Sequence, residues 1–244
     1  MKHSQEIWAI IPTRGGSTGL PEKNTRLIAG KPLLHYMLQS ALGARCLHRL
    51  ILTTDSDAVA SVASQVGSVE VRKHNPLFSV SGRESFFVFK HTLEALMQES
   101  GMSPRVVLLL RVTTPLCLSS DIDNAVSMLL GNNQSATAVL SVTKSDVHPQ
   151  RVYHMDTNGV LRAREETPEK DYPLPRQVFD CAYIRNGALY ATFPEIVLRG
   201  SLWGNKPLAY LMPKERSINI NDEIDFVLAE ELLRRRQKSD VLSP

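Results

Sequence analysis

The chain has 244 residues, 43% hydrophobic and 22% charged, with 28 Lys and Arg against 25 Asp and Glu. Such a length suits one or two domains and such a composition a globular protein, which excludes a disordered tail, a collagen-like fibre and a coiled coil. A net charge of +3 fits a nucleotide or another small anion and does not single out nucleic acid. In chain order, Ile7–Ile11 is an apolar run closed by Pro12 and reads as a buried strand. Thr13 to Asn24 is a glycine-rich loop. Pro32 opens a helix whose Leu33, Leu34, Met37, Leu38, Ala41 and Leu42 make one apolar face. Leu50–Thr54 is a second strand, and Asp55 or Ser56 caps a helix stopped by Gly67. Val69–Val71 is a third strand, and Phe86, Phe87, Phe89, Leu93 and Leu96 mark a further helix. Val106–Leu110, the most apolar run, reads as a central strand. Ser119 or Ser120 caps the next helix, and Ala136–Val142 returns as a strand. The stretch 143–175 is polar, rich in proline and without helical period, with an Asn158-Gly159 turn; it reads as an inserted arm. Tyr183–Thr192 rejoins the sheet. A last helix runs from about Asp222 to Gln237, with Arg234, Arg235 and Arg236 read as cations favoured at a helix C-terminus.

Strands spaced by helices imply one α/β domain over residues 1–244 with a doubly wound, mostly parallel sheet. Ligands of such sheets bind beyond the carboxyl ends of the strands, which directs attention to 13–24, 54–57 and 111–118. Cys46, Cys117 and Cys181 are far apart, and neither CxxC nor HExxH occurs, so no disulfide frame or thiolate or histidine zinc site is expected. No apolar run reaches the roughly 18–20 residues of a membrane span, and the polar start carries no signal peptide. The expectation is a cytoplasmic protein with no membrane or nucleic-acid partner.

The loop Pro12-Thr13-Arg14-Gly15-Gly16-Ser17-Thr18-Gly19-Leu20-Pro21-Glu22-Lys23-Asn24 carries the strongest functional signal. Its glycines let backbone amides approach a ligand, and Arg14 and Lys23 place cations near its ends, a combination suited to phosphates. It matches neither the P-loop nor the dinucleotide fingerprint.

The same segment, read from Ala9 to Asn24, closely resembles the opening of the acylneuraminate cytidylyltransferases (CMP-sialic acid synthetases). The likeness continues through Gly30-Lys31-Pro32-Leu33, Thr53-Thr54-Asp55-Ser56, Thr113-Thr114-Pro115-Leu116, Pro175-Arg176-Gln177, Arg185-Asn186-Gly187-Ala188-Leu189-Tyr190, Ser217-Ile218 and Glu223-Ile224-Asp225-Phe226. The resemblance implies a nucleotide-diphospho-sugar transferase-like fold and attack of a 2-keto sugar acid on the α-phosphate of CTP, giving a CMP-sugar and pyrophosphate. It implies Mg2+, and a homodimer paired through the arm at 143–175. It places Thr13, Arg14, Gly15, Gly16, Ser17, Lys23, Asn24 and Thr113 at the nucleotide. Arg111, Arg176, Gln177, Tyr183 and Asn186 fall at the sugar acid, and Arg14, Lys23 and Arg111 at the chemistry.

The family's last motif reads Ser-Ile-Asp-x-Asp, and those aspartates hold magnesium. Here Ser217-Ile218-Asn219-Ile220-Asn221 carries amides, leaving Asn219, Asn221 and Asp222 as a weak metal set. Asp222 is alternatively the N-cap of the last helix. Thr18 stands where a lysine is usual, Arg111 where a glutamine is, and Cys117 where an arginine is. Residues 78–85 lack the family's Asp-Thr-Ala-Ser-Ser run and bring Arg83 and Glu84 near the base-recognition segment. Two readings follow: an active enzyme in which Arg111 supplies cationic charge, or a protein that keeps fold and ligand site without the chemistry.

Overall fold

The computed structural model describes residues 2–16, 19–75, 84–132, 135–165 and 173–242, the side chains of Glu84, Arg176 and 239–242 excepted. The main strands are β1 Ile7–Thr13, β2 Arg49–Thr54, β3 Glu70–Lys73, β4 Val106–Leu110, β5 Ala138–Lys144, β6 Tyr183–Thr192 and β7 Pro207–Leu211. The helices are α1 Leu33–Leu42, α2 Asp57–Ser64, α3 Glu84–Ser100, α4 Ser119–Gly131, α5 Pro194–Leu198 and α6 Glu223–Leu242. The seven strands form one sheet in the order β3-β2-β1-β4-β6-β5-β7. Every neighbour is parallel except β6, which runs antiparallel to β4 and to β5.

Alternation along the strands sorts the core. Ile7, Ala9 and Ile11 of β1 pack with α1, α2 and α4 on one face, while Trp8 and Ile10 pack with Phe89, Leu93 and Leu96 of α3 on the other. That period of two, with both faces apolar, is what a sheet covered on both sides requires. Each large side chain so buried contributes about 1.5–3 kcal/mol. A third cluster joins Leu20, Ile28, Leu33, Leu116 and Ile220 to Phe226, Ala229 and Leu233 of α6, so the last helix closes the carboxyl end of the sheet beneath the glycine loop.

Several boundaries differ from the sequence reading. Pro12 lies inside β1, paired with Thr53, because β4 has already ended its pairing at Ile10 and no N–H is needed on that side. Helix α2 is capped by Ser56, whose hydroxyl accepts from Val59 N at 3.3 Å. The N-cap of α4 is Leu118 rather than either serine, and the Asp121 carboxylate accepts from its N–H at 2.8 Å. Helix α6 runs past the three arginines, so these do not end it; Arg234 and Arg235 pair with Glu230 and Glu231 one turn back. Strand β7 was not foreseen. In the segment 143–175, Tyr153–Met155 pairs antiparallel with Leu161–Ala163 around a turn in which Gly159 has φ +81°. Among the described residues no helix is long and apolar enough to cross a membrane.

Candidate functional site

The carboxyl ends of β1, β2 and β4 meet a break in β6. Between the pairs Arg185–Val142 and Tyr190–Leu140, residues 186–189 stand opposite the single residue Ser141. The Ser141 hydroxyl stitches the bulge by accepting from Leu189 N at 3.0 Å and donating to Leu189 O at 3.1 Å. Gly187 takes φ +78° there, which only glycine adopts freely. The buried Asn186 Oδ1 accepts from Ala188 N at 3.2 Å, and its Nδ2 donates to Ser217 Oγ at 2.9 Å. The Asn-Gly-Ala motif is therefore a bulge that ties β6 to the segment before α6.

The glycine loop forms one wall. Gly15 N donates to Asp55 Oδ1 at 2.7 Å, and a Cβ on Gly15 would lie only 2.7 Å from Ser56 Cβ. A Cβ on Gly19 would collide with the carbonyl oxygen of Asn221. Asn24 is buried, and its Nδ2 donates to Arg14 O at 2.8 Å, holding the ends of the loop together. Gly16 is exposed, with open space where a side chain would stand. Lys23 Nζ donates to Ile220 O at 2.9 Å. Ser17 lies outside the described residues.

The opposite wall follows β4. Arg111 N donates to Ala188 O at 3.2 Å, and Thr113 O accepts from Ile220 N at 2.8 Å. A Cβ on Gly187 would lie 3.5 Å from Arg111 Nη1 and 3.8 Å from Asn219 Nδ2, so guanidinium and amide are neighbours across that glycine. The segment 219–221 thus threads between both walls. Three buried atoms on this side, Thr113 Oγ1, Thr114 Oγ1 and Asn219 Oδ1, have no hydrogen-bond partner among the described residues. Position 217–221 is braced from behind: Asp121, 1% exposed, accepts from Arg216 Nη1 at 2.5 Å and from Tyr210 OH at 2.9 Å.

The site is cationic. Burial lowers the Lys23 pKa, and the charges of Arg111 and Arg14 lower it further, against the opposing pull of Asp225. Lys23 thus feels the positive charges of Arg111 and Arg14, a repulsion that an anion beside it would relieve. Between the lowered value and the ordinary lysine value the unfolded chain binds more protons, so the free protein gains stability as pH rises through that interval. Affinity for a polyphosphate moves the other way and falls as Lys23 loses its proton. Kd measured from neutral to about pH 10 is expected to weaken at lower pH in the wild type than in Lys23→Arg; coincident profiles would contradict this.

Asp222 and Asp225 serve the helix. Asp222 Oδ1 accepts from Asp225 N at 3.0 Å, and Asp225 Oδ2 accepts from Asn221 N at 2.9 Å and Asp222 N at 3.4 Å, a reciprocal cap on α6. What remains toward the cations is the pair of neutral amides Asn219 and Asn221. Magnesium is bound through one or two carboxylates and keeps near-octahedral hard oxygens. Two amides next to a guanidinium and an ammonium do not provide that set, so the residues present do not fit magnesium.

A groove opens on the far side of Asn186, at the root of the arm. Gln177 lines it with Lys144, His148, Phe179, Met212 and Lys214. Asn186 Nδ2 also reaches Met212 Sδ, on the groove wall, at 3.2 Å, so the bulge adjoins both spaces. Tyr183, 56% exposed, opens β6 opposite Lys144. The Arg176 side chain is outside the described set, as are residues 78–83, which include Arg83. Lys144 and Lys214 were not singled out from the sequence, because only the pairing of β5 with β6 and β7 brings them together. Lys214 is paired with Asp146.

A family model described as "Cytidylyltransferase" matches residues 8–179. The chain is 31% identical over 239 residues to the N-acylneuraminate cytidylyltransferase of Escherichia coli, covering 97% of this chain and 54% of that protein. It is 31% identical over 239 residues to the CMP-N,N'-diacetyllegionaminic acid synthase of Legionella pneumophila, covering 96% of this chain and 98% of that one. In structure it is similar to a CMP:2-keto-3-deoxy-manno-octonic acid synthetase complexed with CTP, with TM-score 0.68, 14% identity and coverage of 95% and 99% of the two chains. The chain thus spans about half the length of the E. coli relative and nearly all of the Legionella one.

Proposed function

Because the chain belongs to the acylneuraminate cytidylyltransferase family, we propose that it transfers the cytidylyl group of CTP to a 2-keto sugar acid of the nonulosonate class. The observation that carries the reading is the meeting of the glycine loop, through Lys23 and Gly19 against the segment 220–221, with Arg111 across Gly187 from Asn219. In this reading the exposed backbone around Gly16 and the three cations hold the triphosphate. The anomeric hydroxyl of the sugar acid attacks the α-phosphorus, the bond to the bridging oxygen of the β-phosphate breaks, and pyrophosphate and the hydroxyl proton are released. Fixed cations at the leaving oxygens stabilise charge that grows in the transition state. The sugar acid occupies the groove at the arm root, where Lys144 and Gln177 offer donors to a carboxylate and hydroxyls.

Pyrophosphate release from CTP, ATP, GTP and UTP with a panel of 2-keto sugar acids tests the reading. Turnover is expected with CTP and at least one nine-carbon acid. The second reading, a binding protein without the chemistry, is favoured by the amides at Asn219 and Asn221 and predicts CTP binding without pyrophosphate. Preference for ATP or GTP would remove the cytidine assignment from both.

The working form in this proposal is a homodimer joined by the arm. Met155, Val160 and Leu161 on the hairpin are 71%, 51% and 62% exposed, an apolar surface of the kind that marks an interaction site. Light scattering is expected to give twice the 27.2 kDa chain mass, and the double change Met155→Glu with Leu161→Glu to give one chain mass. A monomeric wild type at micromolar concentration would overturn the dimer.

A further inference from the structure

Resting on the nucleotide reading above, we propose that this chain neutralises its nucleotide's triphosphate with its own side chains, the Arg111 guanidinium standing with Lys23 in place of a divalent cation, so that nucleotide binding requires no metal. The first support is the state of Arg111. The half-buried Arg26, Arg49, Arg72 and Arg216 each hold a carboxylate. Arg111, also half-buried, has no side-chain hydrogen bond or ion pair among the described residues. A guanidinium withdrawn from water without an anion is a vacant fork for phosphate, which it binds through two parallel N–H donors.

The second support is its company. Arg111 lies across Gly187 from Asn219, and Lys23 reaches the backbone between Asn219 and Asn221. Arg111 beside Asn219 and Lys23 on Ile220 O already bring positive charge to this segment, so a divalent ion there would meet like charge with only neutral amides to hold it. The nearby carboxylates, Asp222 and Asp225, are engaged in capping α6. The reduced proton affinity of Lys23, to which Arg111 contributes, is a further sign that the cluster waits for an anion.

The test is calorimetric, on the full chain, with CTP and with inorganic tripolyphosphate, in millimolar magnesium and in EDTA. Wild-type affinities for both probes are expected to be as tight in EDTA as in magnesium, within about threefold. Arg111→Gln is expected to weaken both at least about tenfold in EDTA, with Arg111→Lys intermediate. Adding Asn219→Asp and Asn221→Asp to Arg111→Gln is expected to make binding tighter with magnesium than without. Wild-type affinity that drops more than about tenfold in EDTA, tripolyphosphate that does not bind, or an Arg111→Gln variant that binds as the wild type does would each overturn the proposal. If tripolyphosphate binds without metal but CTP binds no more tightly than ATP, the cytidine reading fails and this inference stands.

Discussion

Replacing Lys23 by methionine is expected to weaken CTP binding about 10- to 100-fold and to abolish any pyrophosphate release, while leaving the free protein as stable as before or more so. The side chain donates to Ile220 O at 2.9 Å and stands half-buried with Arg14 and Arg111. A hydrogen bond to a charged partner contributes about 1.5–3 kcal/mol, which sets the size of the binding loss. Methionine keeps the apolar stem and removes a desolvated charge that two neighbouring cations repel, a relief that offsets the lost bond to Ile220 O, so the folded state holds as the ligand is lost. Calorimetry with CTP and a thermal melt on the same sample read both signs. A variant that loses affinity because it unfolds would place Lys23 in the scaffold, and one that binds CTP normally would remove it from the site.

Changing Arg216 to methionine is expected to cost about 3 kcal/mol of stability and to lower Tm by roughly 6–12 °C. Asp121 is 1% exposed, and Arg216 is its cationic partner. Removing the guanidinium leaves a buried carboxylate with the Tyr210 hydroxyl and the Leu118 N–H alone. The double change Arg216→Met with Asp121→Leu removes both charges and is expected to recover most of the loss, because a buried pair replaced as a whole by apolar groups is far less costly than one broken. Calorimetric melts of the two variants decide it. Equal Tm values for Arg216→Met and the wild type would show that the pair contributes nothing. The pair also anchors the chain just before Asn219, so the single variant is expected to bind CTP more weakly at temperatures where it remains folded.

Much of the frame was legible in the chain before any coordinates. The apolar runs at 7–11, 50–54 and 106–110 lie in the three strands whose carboxyl ends bear the site. The glycine loop stands where the spacing of its glycines put it, because Gly15 and Gly19 lie at close approaches and Gly16 on open backbone, all visible as local composition. Strand β7 was missed for the opposite reason. It begins on Pro207 at the sheet edge and alternates exposed with half-buried residues, so its apolar run Leu208–Met212 is short, opens on a proline and carries no sign of which strand it joins. The cap of α4 was misplaced because its decisive group is not at the cap: Asp121, three residues on, supplies the acceptor. For Asp222, whose neighbourhood admitted both a metal and a cap, the backbone bonds to Asp225 show the cap.

What the sequence determined by itself were properties carried by neighbours along the chain: the strand and helix alternation, the two-faced sheet, the glycine-rich loop and the amides at 219 and 221. Those follow from periodicity and residue type, which a local window contains. What only the tertiary structure decided were meetings across long separations. Arg111 faces Asn219 over Gly187, Lys23 bonds Ile220, and Arg216 bonds Asp121, each pair brought together by the insertion of antiparallel β6 between β4 and β5 and by the return of α6 beneath the loop. No local pattern encodes such a meeting, because its free energy comes from burying both partners at once, and that burial exists only when the whole sheet has closed.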